Sequence, residues 1–201
     1  MVPRRSGDRR RSDGRSYRIR RGRLSDLPRL VEDAHRMWEA IGERSANSIA
    51  ENDANYSRWL TRQMRTGRVA AFVAVSPIAG RIGSGCVWLR ETHPRPGLPA
   101  LIEPYILSVF TLPEMRGRGV ASAIVRACLR WARVKGGLRA SLHASVAGRS
   151  AYARIGFERT WEMRIWLDPG RRRRIERAAR RRRPPKHIRR GLRAGRPLAP
   201  P

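Results

Sequence analysis

Apolar residues recur at two different spacings along the chain, and the change between them predicts the order of its elements. At residues 27–41 and 120–134 apolar positions return every three or four residues, as they do on one face of an α-helix. A third helix is predicted from about 53 to 65 by the same spacing. Runs rich in β-branched and aromatic residues, typical of strands, occupy 69–75, 81–90 and 101–111.

Shorter elements complete the order. Residues 17–20 and 138–144 are predicted strands, 148–157 a short helix, and 157–167 a final strand or hairpin. Pro104 indicates a bulge or an edge position within its strand, because proline cannot donate to a sheet. The resulting order, β-α-α-β-β-β-α-β-α-β, predicts an α/β (α+β) domain with a mixed, mostly antiparallel central sheet flanked by helices.

Positive charge is distributed unevenly. The chain of 201 residues has a net charge of +29, of which +8 lies in residues 1–23 and +12 in 168–201. Both ends are rich in Arg, Gly, Pro and Ser and poor in residues that form a core, so we expect residues 1–16 and 168–201 to be mobile tails around a domain at 17–167. The tails are either solvated charge runs or contacts for nucleic acid or another acidic surface.

Several classes of protein are excluded or disfavoured. No apolar run approaches the roughly 18 residues of a membrane-spanning helix, so no membrane span is expected. The basic start lacks the apolar segment of a secretory signal, and a cytoplasmic location is therefore expected. Cys86 and Cys128 are too few and too far apart for a disulfide framework or a zinc knuckle, and the four histidines lack the spacing of metal ligands.

The most informative stretch is PEMRGRGVASAIV at 113–125, where a predicted buried strand becomes a helix. The first amides of a helix have no partner within it, and the helix dipole places partial positive charge at the same end. Gly117 and Gly119 let the backbone approach a ligand closely, and Arg116 and Arg118 add charge, so the pattern suits a pyrophosphate. It is neither a Walker A loop nor a dinucleotide-binding GxGxxG.

Residues 116–121 resemble the Arg/Gln-x-x-Gly-x-Gly/Ala signature of the GCN5-related N-acetyltransferases. The preceding VFTLP at 109–113 is similar to that family's strand along the pantetheine arm. Residues 144–157 resemble its second motif, with Tyr152 before the pair Gly156–Phe157. The resemblance implies a fold in which the fourth and fifth strands splay apart, and transfer of an acetyl group from acetyl-CoA to an amine without a metal.

The resemblance also implies roles for individual residues. Tyr152 matches the position that protonates the leaving thiolate, and a buried aromatic packing beside Phe157 is its alternative role. Glu103 is the candidate base; a surface charge at a strand end is the other interpretation, and a chain of water molecules could replace it. The expected contacts to acetyl-CoA are Val109, Phe110, Thr111, Arg116, Gly117, Arg118, Gly119, Val120, Ala121 and Ser145.

The expected function is therefore acetylation of a primary amine of a small molecule or peptide by direct attack on acetyl-CoA. The loops at 42–55 and 91–100 would select the acceptor, and the chain would be a monomer or a homodimer. The alternative function is a basic, nucleic-acid-associated protein whose acetyltransferase-like domain is auxiliary or inactive, and only the arginine-rich tails favour it.

Overall fold

The computed structural model describes residues 17–42, 46–94, 96–97, 102–163, 165, 167–168, 170, 173 and 177. The predicted tail at 1–16 and nearly all of the tail at 168–201 lie outside these residues.

The described residues between 17 and 157 contain five strands and four α-helices. In chain order they are β1 (Arg18–Arg21), α1 (Leu27–Ile41), α2 (Ala46–Arg65), β2 (Val69–Ser76), β3 (Gly80–Glu91), β4 (Ile102–Thr111), α3 (Val120–Val134), β5 (Ser141–Leu142) and α4 (Arg149–Ala153). One turn of 3-10 helix precedes α1 at Leu24–Asp26, and another precedes α3 at Pro113–Met115.

The strands form one sheet in the order β1-β2-β3-β4-β5. The pairs from β1 to β4 are antiparallel, whereas β4 and β5 are parallel. The β4–β5 pairing is limited to Tyr105 with Ser141 and Ile106 with Leu142, so the two strands separate beyond Ile106. The predicted mixed, mostly antiparallel sheet with splayed fourth and fifth strands is confirmed.

Two apolar layers cover the faces of the sheet. On one face α3 contributes Ile124, Val125 and Cys128 to a cluster that includes alternate residues of the strands. On the other face Leu30 of α1 and Leu60 of α2 pack against residues such as Cys86 of β3. The helices form because their apolar positions follow the 3.6-residue period and find a sheet face to cover.

Three predictions about the elements were wrong. Helix α2 begins at Ala46, well before the predicted residue 53, so most of the predicted acceptor loop at 42–55 is helical. Strand β5 has two residues in place of seven, because its pairing with β4 ends where the strands splay. Described residues between 157 and 167 form no strand. Trp161 and Met163 there are 88% and 93% exposed, so their alternation has no sheet to join among the described residues.

The irregularity of β4 lies at Ser108, not at Pro104. Pro104 is buried opposite Leu89 of β3, and the Leu89 amide donates to the Arg68 carbonyl at 2.8 Å on the other side of the strand. No amide is therefore required from Pro104 at this position. The register slips four residues further along, with Ser108 at φ 52°.

Candidate functional site

The loop between β4 and α3 presents a row of backbone amides. Gly117 and Gly119 adopt φ angles of 76° and 74°, which side-chain-bearing residues rarely adopt. The first helical hydrogen bond runs from the Ala123 amide to the Gly119 carbonyl at 2.9 Å. Within the described chain, no backbone carbonyl accepts a hydrogen bond from the six consecutive amides at 117–122. Amides left unpaired at the start of a helix can bind an anion.

Charge and space at this loop favour the same ligand. Arg116 and Arg118 are exposed, and the positive end of the α3 dipole lies beside them. A Cβ atom at Gly117 would meet nothing within 4 Å, and one at Gly119 would meet only the Tyr17 hydroxyl at 3.9 Å. The glycines are thus needed for their backbone conformation, and the space above them is open. The residues fit the pyrophosphate of a coenzyme A molecule.

The carboxyl end of β4 turns further amides away from β3. The Leu112 amide donates to the Ile82 carbonyl at 3.0 Å, which makes these two residues a hydrogen-bonded pair. Because amides alternate in direction along a strand, the Thr111 amide points to the side where β5 has separated. The Thr111 hydroxyl oxygen is buried without a partner in the described chain. This open edge offers an extended ligand the hydrogen bonds of a missing strand.

A bulge precedes this open edge. Cys86 pairs with Leu107 and Ser84 pairs with Phe110, so Gly85 of β3 faces both Ser108 and Val109. The Val109 amide therefore also lies outside the ladder with β3. Because of the bulge, Val109 packs against the apolar cluster that contains Ile124 and Cys128 of α3 (the α3-side cluster), whereas Leu107 packs on the opposite face of the sheet. Regular alternation along the strand predicts that Glu103 and Val109 share a face, and this prediction is wrong, because the extra residue of the bulge shifts the alternation.

Tyr152 lies in α4, and its ring packs against the α3-side cluster that also receives Val109. Its ring meets that of Phe157 edge to face, with centroids 6.1 Å apart. Burial, and secondarily the proximity of Cys128, raises the pKa of the Tyr152 phenol, so the hydroxyl stays protonated at neutral pH.

Ser145 precedes α4. Its hydroxyl and its carbonyl both accept from the Gly148 amide, at 3.3 Å and 3.0 Å. The structure thus gives Ser145 a role in ordering the turn before α4, and it lies in the stretch between β5 and Tyr152.

Glu103 lies near the start of β4, at the end where β4 and β5 are still close. Its carboxylate is 3.5 Å from the Arg90 guanidinium and 3.4 Å from that of Arg139, and its side chain is 13% exposed. Leu107, at the edge of the bulge, lies four positions, or about 13 Å of strand, beyond Glu103. The structure does not bring Glu103 into direct contact with the other predicted site residues.

Sequence reasoning missed the contact that borders the bulge. The Tyr56 hydroxyl of α2 lies 2.8 Å from the Ser108 hydroxyl. The two residues are 52 positions apart, and neither belongs to a motif, so no spacing in the sequence could have paired them.

Two further properties concern the described residues alone. No helix there is both long and apolar enough to cross a membrane. No group of three or more His, Cys, Asp or Glu side chains is arranged there to hold a metal ion.

Comparison with known proteins decides the family. The model of the Acetyltransferase (GNAT) family matches residues 27–157, which is more than half of the chain. The chain belongs to this family. The match extends from the start of α1 to Phe157 and so contains every element of the site described above.

Individual relatives agree with this assignment. The chain is 27% identical over 115 residues to an uncharacterised N-acetyltransferase of Methanocaldococcus jannaschii, covering 56% of this chain and 48% of that protein. It is 30% identical over 138 residues to a mycothiol acetyltransferase of Salinispora arenicola, covering 64% and 42%. The chain therefore spans just under half the length of these curated relatives.

The fold is shared with solved GNAT structures. A Clostridium acetobutylicum protein, described as a predicted acetyltransferase with acetyl-CoA, superposes with a TM-score of 0.67 at 21% identity. The superposition covers 76% of this chain and 94% of that one.

Proposed function

We propose that this GNAT protein transfers an acetyl group from acetyl-CoA to a primary amine of a small molecule or peptide, through a domain that spans 17–167. The observation that carries the proposal is the row of amides at 117–122 beside the open edge of β4. The acetyl-CoA of the similar Clostridium acetobutylicum structure supports the choice of ligand.

Binding would use backbone more than side chains. The amides at 117–122 would hold the pyrophosphate. The exposed guanidinium groups of Arg116 and Arg118 would partly neutralise its negative charge. The backbone of Val109, Phe110 and Thr111 would take the pantetheine arm as β4 takes a neighbouring strand. Val120 and Ala121 would contribute amides from the first turn of α3, and Ser145 would border the same gap from the other side.

Acetyl-CoA supplies the acetyl group as a thioester, whose sulfur must leave as a thiol. The Val109 amide, directed out of the sheet by the bulge, would donate a hydrogen bond to the thioester carbonyl oxygen. The attacking nitrogen must be a neutral amine, and the proton it loses would reach Glu103 through ordered water, because the carboxylate is too far along β4 for direct transfer. Tyr152 would donate its phenolic proton to the sulfur.

Two measurements test this function. Calorimetry should show binding of acetyl-CoA to the full chain. Release of free thiol should depend on an added amine, in a screen of amino acids, polyamines, aminoglycosides and peptides with free amino termini. A reaction without amine is the control for hydrolysis. A chain that binds no acetyl-CoA and releases no thiol with any amine would contradict the proposal.

A further inference from the structure

The β4 bulge is held from both faces of the sheet. On the α3 face, a Cβ atom at Gly85 would lie 2.8 Å from the Ile124 side chain and 3.3 Å from that of Val109, so the bulge is packed without spare room. On the other face, the Tyr56 hydroxyl is 2.8 Å from the Ser108 hydroxyl, and either oxygen can be the donor. The position of the bulge therefore depends on a residue of α2, far from it in sequence.

The ring of Tyr56 is itself fixed in place. It stacks against Trp59, with centroids 5.8 Å apart and planes at 21°. Trp59 in turn meets Trp88 of β3 edge to face at 5.4 Å. Tyr56 thus reaches Ser108 from a rigid platform, and loss of its hydroxyl alone would leave the ring packing intact.

The Tyr56–Ser108 hydrogen bond does not vary with pH near neutrality. Burial raises the pKa of the Tyr56 phenol well above its ordinary value. The neighbouring Cys86 thiol is also buried, and its pKa rises to about 12. Both groups stay protonated, so the contact is a permanent neutral hydrogen bond.

Ser108 needs such a partner because its backbone conformation is one that serine rarely adopts. Its φ angle is 52°, and it is the one described residue other than glycine with a positive φ. A residue in this region persists when its surroundings determine it strongly. Without a partner for its hydroxyl, the bulge could relax and turn the Val109 amide to another direction.

We propose that Tyr56 is a positioning residue for acetyl transfer: through Ser108 it fixes the bulge that directs the Val109 amide to the thioester carbonyl. This inference rests on the proposed function. Tyr56 acts through Ser108 and Val109 and touches neither substrate. Its effect should appear in the rate of the chemical step and not in the affinity for acetyl-CoA.

The test compares Tyr56→Phe, Ser108→Ala and the double variant in the full chain. We expect each single variant to lower kcat about 10- to 100-fold while the Kd for acetyl-CoA stays within about twofold. The double variant should lose no more kcat than the more impaired single variant, because both changes remove the Tyr56–Ser108 hydrogen bond. Tyr105→Phe, on the same strand, is the matched control and should keep the wild-type kcat, since the cation–π contact of Tyr105 with Arg90 needs no hydroxyl.

The backbone amide of Val109 gives an independent readout. Its resonance in a ¹⁵N-edited spectrum should shift in Tyr56→Phe and stay in place in Tyr105→Phe. Unchanged kcat and an unchanged Val109 resonance in Tyr56→Phe would overturn the inference, as would losses in Kd as large as those in kcat. If the wild-type chain released no thiol with any amine, the proposed function would fail, and the Val109 resonance would still show whether Tyr56 holds the bulge.

Discussion

A substitution at Gly119 tests whether the amide row binds the pyrophosphate. Gly119 has φ 74°, and an added Cβ atom would meet nothing closer than 3.9 Å, so Gly119→Ala changes conformational preference without a clash. Placing a residue with a side chain in the left-handed region costs about 1–2 kcal/mol. If the exposed loop relaxes in the free protein, binding must restore the left-handed conformation, and this cost becomes a loss of affinity of about 5- to 30-fold.

Gly67 provides a matched control. It has φ 70°, an added Cβ atom there would also meet open space, and it lies at the end of α2, away from the loop before α3. Gly67→Ala should introduce the same backbone strain as Gly119→Ala, but at this position the strain should appear as a loss of stability. For a chain of this size, about 1 kcal/mol corresponds to roughly 2–4 °C in Tm.

Calorimetric titration with acetyl-CoA and thermal unfolding of both variants separate the two effects. We expect Gly119→Ala to weaken binding about 5- to 30-fold and Gly67→Ala to bind as the wild type does while losing Tm. The reasoning is refuted if Gly119→Ala binds within twofold of the wild type, or if Gly67→Ala weakens binding equally.

Three further predictions concern single side chains. Tyr152→Phe should lower kcat by about 100-fold with acetyl-CoA affinity kept, since only the transferable proton is removed; unchanged steady-state kinetics would exclude it as the acid. Glu103→Gln should lower kcat about tenfold, whereas Glu91→Gln on β3 should not; equal kinetics for the two would leave Glu103 a structural ion pair. The Arg20 guanidinium lowers the pKa of Asp26 in the folded chain. The stabilisation from this ion pair is therefore complete above the unfolded pKa of about 3.9 and is lost as the pH falls through the lower, folded pKa. Asp26→Asn should flatten the acid side of a curve of Tm against pH, and an unaltered curve would contradict this role of the ion pair.

Local patterns predicted the elements that are regular and amphipathic. Helices α1 and α3 have the bounds that their apolar spacing indicates, because each buries an apolar stripe against one face of the sheet. The first turns of α2 were missed because residues 46–52 are mostly polar or small and give no clear helical stripe. The prediction of a strand over 157–167 failed for the opposite reason: alternation describes a strand only where a partner edge is available.

The bulge shows a different reason for failure. Pro104 is the residue of β4 that the sequence marks as irregular. A proline does not disturb a strand where the neighbouring strand needs no hydrogen bond from its amide position. Ser108 carries no such mark. The bulge lies opposite Gly85 of β3, which packs against Ile124 of α3, and Ser108 itself contacts Tyr56 of α2. A feature fixed by three separate elements leaves no signature in a local window.

The uneven predictability of the site follows from which of its parts depend on backbone and which depend on side chains. Backbone amides can come from any residue, so the proposed acetyl-CoA side marks the sequence only where the backbone needs a positive φ, at Gly117 and Gly119. Those two glycines suffice to reveal it because their spacing is fixed by the turn into α3. The bulge depends instead on side chains packed between helix and strand, as the Tyr56–Ser108 contact illustrates. Such a contact exists only once α2 and β4 are packed together, so variants of α2 are the place to test what it does for the Val109 amide.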